Sequence, residues 1–176
     1  MKKLLFSLVC VVAFSFAASS QMAVKVNPLG LLFGSANAGL EYAFSETLSG
    51  EIGANYSNVK ATLGNTTDAS FTGIGGYAMV RWYFKNKGPL EGWYLAPNFS
   101  IGSTSATSDG GEDGSISSTK LGVLAGYQWV FGDDGGFLLD LGLGMAQYSV
   151  SSEGAVSGIN IDGLLPDIRL AIGYAF

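Results

Sequence analysis

The chain has 176 residues, enough for one domain, with 48% apolar residues, 13% charged residues and 26 glycines. So apolar and aromatic a chain is not intrinsically disordered, yet its charged fraction is well below the roughly one quarter usual for soluble domains. A formal net charge of −5 argues against a nucleic-acid binder, and the complete lack of histidine removes every mechanism that needs an imidazole base.

The only long apolar run opens the chain. Met1-Lys2-Lys3 supplies a basic start, residues 4–18 an apolar stretch, and Ala17, Ala18, Ser19 and Ser20 the small residues of a cleavage site. The expected division is a cleavable signal peptide over residues 1–20, cut after Ser20, and one domain over residues 21–176. The run is short for a spanning helix, which needs about twenty residues. Cys10 lies inside it, and Leu8-Val9 are not the small residues a lipoprotein signal places before its cysteine. The exported chain would therefore hold no cysteine, no disulfide framework and no thiolate metal site. Removing Lys2 and Lys3 leaves seven basic residues against fourteen acidic ones, a net of about −7.

Beyond residue 21 the pattern is period-two alternation broken by turn clusters, which predicts strands. Eight are expected, over residues 22–33, 36–44, 48–59, 70–84, 93–105, 118–131, 137–150 and 164–176. The alternation is clearest in the last three. Leu121, Val123, Ala125, Tyr127, Trp129 and Phe131 oppose Lys120, Gly122, Gly126 and Gln128. Phe137, Leu139, Leu141, Leu143 and Met145 oppose Asp140, Gly142, Gly144 and Ala146. Ile168, Leu170, Ile172, Tyr174 and Phe176 oppose Asp167, Arg169, Ala171, Gly173 and Ala175. A sandwich buries its large residues in a core. Here the minor face is small or charged, which suits the narrow interior of an eight-stranded barrel whose large residues face lipid.

The connections alternate in length. Residues 45–47, 85–92 and 132–136 are compact, whereas 61–69, 104–117 and 151–163 are longer and polar; Gly34-Ser35 is a short exception. Short periplasmic turns opposite long outer loops are the pattern of transmembrane barrels. On the lipid-facing parity, Tyr42, Phe44, Trp82, Phe84, Trp93, Trp129, Phe131, Phe137, Tyr174 and Phe176 all fall at one border, as an interfacial aromatic girdle would. Phe33, Tyr56 and Phe99 are candidates for a weaker second one. The fold class expected is all-β: an eight-stranded antiparallel up-and-down transmembrane β-barrel preceded by a cleavable signal peptide. Pro97 should cause a bulge or irregularity in strand five, and Asn27-Pro28 breaks the alternation of strand one.

The signal peptide and the final strand, Ile168-Arg169-Leu170-Ala171-Ile172-Gly173-Tyr174-Ala175-Phe176, make the chain resemble the small outer-membrane β-barrels of the OmpA/OmpX-like kind found in Gram-negative bacteria. The likeness implies residence in the cell outer membrane, outer-membrane lipid around the barrel, and delivery by the barrel-assembly machinery through the aromatic-terminated last strand. It does not specify an activity.

The inward parity collects Lys25, Glu41, Glu51, Arg81, Lys120, Asp140, Asp167 and Arg169, four acids and four bases. Charges held away from water must pair, so an internal ion-pair network is expected, structural or gating in role. No catalytic residue, cofactor or resident metal is expected. Asp109-Gly110-Gly111-Glu112-Asp113-Gly114 lacks the alternating ligand spacing of a calcium loop, the glycine cluster Gly132-Asp133-Asp134-Gly135-Gly136 reads as a tight turn, and Gly73-Ile74-Gly75-Gly76 is followed by no helix that would make it a phosphate loop. The function expected is a non-enzymatic outer-membrane barrel, structural or loop-presenting. A narrow channel or transporter for small solutes or apolar molecules is one alternative, and an adhesin or receptor with an unknown ligand at its outer loops is another.

Overall fold

The computed structural model describes residues 22–32, 34–62, 68–108, 113–132, 135–154 and 160–176. Among the described residues, eight strands run β1 (Met22–Val26), β2 (Ser35–Ala43), β3 (Leu48–Thr62), β4 (Asp68–Gly88), β5 (Glu91–Ser108), β6 (Asp113–Phe131), β7 (Gly136–Gly154) and β8 (Ile161–Ala175), with one short helix, α1 (Pro28–Leu32), between the first two. Each strand pairs antiparallel with its sequence neighbours, and β1 pairs with β8, closing an up-and-down barrel. Reciprocal backbone bonds between Met22 and Phe176, at 3.2 and 2.9 Å, complete the seam. The expected signal peptide, the Asp109–Glu112 stretch and Phe33 lie outside the described residues.

Burial alternates along the strands but with inverted polarity. Lys25, Glu41, Glu51, Arg81 and Asp140 are 1% exposed or less, while Ile74, Leu143 and Ile168 are 66%, 63% and 70% exposed. The barrel is therefore polar inside and apolar outside. Small inward residues make this possible. A Cβ at Gly53 would overlap the Tyr77 ring, and one at Gly126 would overlap Tyr94, so these tyrosines lie across glycines on neighbouring strands.

Several boundaries differ from the sequence expectation. Strand one ends at Val26 rather than residue 33, because Asn27 caps a helix. Its Oδ1 accepts from the backbone N–H groups of Leu29 and Gly30, at 2.9 and 3.3 Å, while Pro28 occupies the first helical position, where a missing N–H costs nothing. The long polar connections are mostly hairpin extensions: Thr62 pairs with Asp68, Thr107 with Asp113, and Val150 with Ile161. Ser and Thr alternate there without an apolar face, so the pattern resembles loop although the ladder continues. Residues 85–92 are likewise strand up to a two-residue turn at Pro89-Leu90. At Pro97 the expected irregularity is a local gap and not a bulge: the β4–β5 ladder skips Val80-Arg81 opposite Ala96-Pro97, while the register is kept, since Met79 pairs with Asn98 and Trp82 with Leu95. The register shifts lie instead between Tyr83 and Lys85 and between Asn86 and Gly88, beside the turn.

Candidate functional site: the charged lumen

Three layers fill the barrel. At the end carrying the short turns, Leu90 and Leu138 pack with Ala23, Ala43 and Ala175. Leu90 reaches this position from the turn with φ of 63°, a conformation unfavourable for a branched side chain. Its burial inside the barrel mouth offsets that local cost.

The middle layer is ionic. The β2–β3 register sets Glu41 directly opposite Glu51, a repulsive cross-strand pair on its own. Arg81, from β4, resolves it: Nη1 lies 2.8 Å from both carboxylates and Nη2 lies 2.9 Å from Asp140 on β7. Lys25 Nζ stands 2.5 Å from Glu41 and 3.3 Å from Glu51 and Asp140. Arg169, from β8, bridges the same set, with Nη2 2.7 Å from Glu51 and Nε 2.7 Å from Asp140. Each carboxylate thus meets at least two cations, which buried charges require to offset the loss of water.

Each carboxylate also accepts a tyrosine hydroxyl: Tyr83 donates to Glu41 at 3.0 Å, Tyr77 to Glu51 at 2.7 Å and Tyr94 to Asp140 at 2.6 Å. Ser49 donates to Glu41 as well. Gln128 joins the ionic layer to the apolar one, since its Nε2 donates to Glu41 at 3.1 Å and to the Leu90 carbonyl at 2.7 Å, while its Oε1 accepts from Lys25 at 2.5 Å. The Arg81 guanidinium lies 5.1 Å from the Tyr94 ring centroid.

Of the eight inward charges named from the sequence, six meet in this cluster. Lys120 and Asp167 do not. They form a separate pair at 3.0 Å, one layer nearer the loop end. The sequence places Gln128 on the inward face but does not single it out for the network, and it does not point to the tyrosines or Ser49. The signal they carry is parity: Tyr77, Arg81 and Tyr83 alternate on one strand face, and Gln128 is eight residues from Lys120 on β6, but the tyrosines, Ser49 and Gln128 lack the charge that marks an ion-pair partner.

The third layer is a cavity of about 340 Å³ between the ionic cluster and the loop end, bounded by Arg169 and Tyr77 below and by Asn27 and Ser35 above.

Outside, the aromatic residues named from the sequence gather at the turn end. Tyr42, Phe44, Trp82, Phe84, Trp93, Phe131, Phe137 and Tyr174 are exposed there, while Trp129 and Phe176 are half-buried. Edge-to-face or tilted contacts join Tyr42 to Phe44 at 5.5 Å, Trp82 to Phe84 at 6.1 Å and Phe131 to Phe137 at 5.8 Å. Tyr127, between Trp93 at 5.2 Å and Trp129 at 4.5 Å, links two strands of this belt. Toward the loop end the exterior turns polar at Thr72, Ser103, Thr119 and Gln147. Phe99 does not mark that border, because exposed Ile101 continues the apolar band beyond it. Tyr56, followed outward by Asn58, does stand near it.

No curated protein and no solved structure matches the chain. A family model described as a protein of unknown function, DUF3575, matches residues 4–153, which cover seven of the eight strands apart from the last residue of β7. The match covers most of the chain, and the protein belongs to the DUF3575 family.

Proposed function

We propose that this protein is exported and inserted in the cell outer membrane as an integral β-barrel, and that its role there is non-catalytic: it contributes to the envelope and presents its loop-end hairpins to the exterior. The observation that carries the reading is the inverted polarity of a closed barrel, with charges inside and a continuous apolar band outside. On β3 to β7 the band spans about nine to eleven residues; at about 3.3 Å per residue and a tilt of about 40°, its height is about 23–28 Å, close to the span of an outer-membrane barrel's apolar face. An aromatic belt bounds one edge and Ser, Thr and Gln the other, as the two membrane interfaces demand. In water such a surface would be a strong aggregation liability. The resemblance to OmpA/OmpX-like barrels supports the same destination, with outer-membrane lipid and the barrel-assembly machinery as partners.

The lumen supports a closed, structural barrel rather than a pore. Leu90 and Leu138 occupy the turn end, and the six-charge cluster fills the cross-section behind them. The same pairing leaves each clustered carboxylate held by two or more cations, an arrangement for stability rather than proton transfer. Fractionation of expressing cells, followed by detergent gels with and without boiling, tests the proposal. A band in the outer-membrane fraction whose mobility changes on boiling is expected. A soluble periplasmic product with no such change would contradict it.

A further inference from the structure

The cavity above the ionic cluster contains a feature that neither folding nor envelope anchoring requires. Asn98, an inward residue of β5, is only 5% exposed, yet neither its amide nitrogen nor its carbonyl oxygen has a hydrogen-bond partner among the described residues. Buried side-chain amides are almost always satisfied, since leaving one unpaired is costly. Asn98 lines the cavity, and so do Ser100 on its own strand, Lys120 and Tyr148 on β6 and β7, and Tyr77 on β4. Met79 and Leu124 add an apolar patch beside it.

We propose that this lumenal cavity is a binding site for a small uncharged polyol, of about the size of a monosaccharide. Three features select that class. First, the cavity's fixed charges are already neutralised: Lys120 is held by both oxygens of Asp167 at 3.0 Å, and Lys25 and Arg169 are committed to the carboxylates below. An ionic ligand would have to displace an existing partner. Second, an amide with donor and acceptor both free matches a pair of neighbouring hydroxyls, each able to donate and accept. Third, about 340 Å³ stands at the low end of small-molecule sites, and tyrosine rings and Met79 provide the apolar face against which a sugar's C–H groups pack. The site depends on the barrel's interior geometry and not on where the barrel resides, so its failure and that of the membrane reading are separable.

The test is a titration of the isotope-labelled full chain, refolded in detergent micelles, with glucose, N-acetylglucosamine and myo-inositol, and with inorganic phosphate and tetramethylammonium as charged probes. Saturable shifts of the Asn98 side-chain amide and of its neighbours at Lys120 and Tyr148 are expected with at least one uncharged probe. Asn98→Leu, of similar size, is expected to weaken that binding about tenfold or more, the effect of losing a hydrogen-bonded pair to ligand. If that variant does not refold, Ser100→Ala takes its place, with a smaller expected loss. The proposal is overturned by the absence of saturable shifts with every uncharged probe, by binding of a charged probe alone, or by sugar binding that Asn98→Leu leaves unchanged.

Discussion

Arg81 is the side chain on which the interior balance turns. Its fully buried guanidinium contacts Glu41, Glu51 and Asp140, each within 2.9 Å, closer than Lys25 stands to the last two. Arg81→Ala leaves three carboxylates facing two cations, and a loss of about 3–5 kcal/mol is expected, the range for removing one member of a buried ion pair. Urea unfolding in micelles would measure it, and an unchanged midpoint would show that the cluster holds nothing together. The glycines beneath the tyrosines give a second expectation. Gly126→Ala presses a methyl against both the Leu141 backbone carbonyl and the Tyr94 hydroxyl, so the strand as well as the ring must shift and the 2.6 Å bond from Tyr94 to Asp140 is disrupted. Overpacking of that kind costs about 1–3 kcal/mol. Gly163→Ala, whose added methyl meets nothing within 4 Å among the described residues, is the control and should change stability little.

Among the elements, the Pro89-Leu90 turn is the one whose local cost and long-range contact oppose each other. Leu90→Gly removes the unfavourable backbone conformation, a gain of about 1–2 kcal/mol, but also a buried leucine side chain, a loss of about 2–5 kcal/mol. A net destabilisation is expected, read as a lower temperature for the mobility shift on detergent gels; an increase would mean that the side chain does not fill the barrel mouth. The strand pattern of β6, β7 and β8 was legible in the sequence because large and small residues alternate there without interruption. The helix α1 was not, since Val24, Val26, Leu29 and Leu31 suit a strand as well as a helix turn, and only the Asn27 cap decides between them. The hairpin extensions after Ser105 and before Ser118 were hidden for a related reason: a strand with polar residues on both faces carries no periodicity to read. Inward charges were legible by parity, but which of them would meet was not, because that depends on the stagger between strands distant in sequence. The stagger brings Arg169 of β8 to Glu51 of β3 while leaving Lys120 of β6 with Asp167 alone.

Viewed whole, the molecule is a barrel whose exterior and interior have exchanged the usual roles. The exterior band makes a graded expectation. Leu143→Arg, near mid-band, should cost about 2–4 kcal/mol in lipid, whereas Ser105→Arg, beyond the polar border, should cost little. Refolding yields and unfolding midpoints in lipid vesicles would compare the two, and equal effects would place the border elsewhere. The most direct measurement uses a property of the unmodified chain. Its three tryptophans, Trp82, Trp93 and Trp129, all belong to the aromatic belt at the turn end. Their fluorescence can be recorded in vesicles whose lipids carry bromine either near the headgroup or deep in the acyl chain. Strong quenching by the shallow bromines and weaker quenching by the deep ones is the expected result, since a belt at the interface lies close to the first and far from the second. Absence of quenching by either would contradict a barrel that spans the membrane.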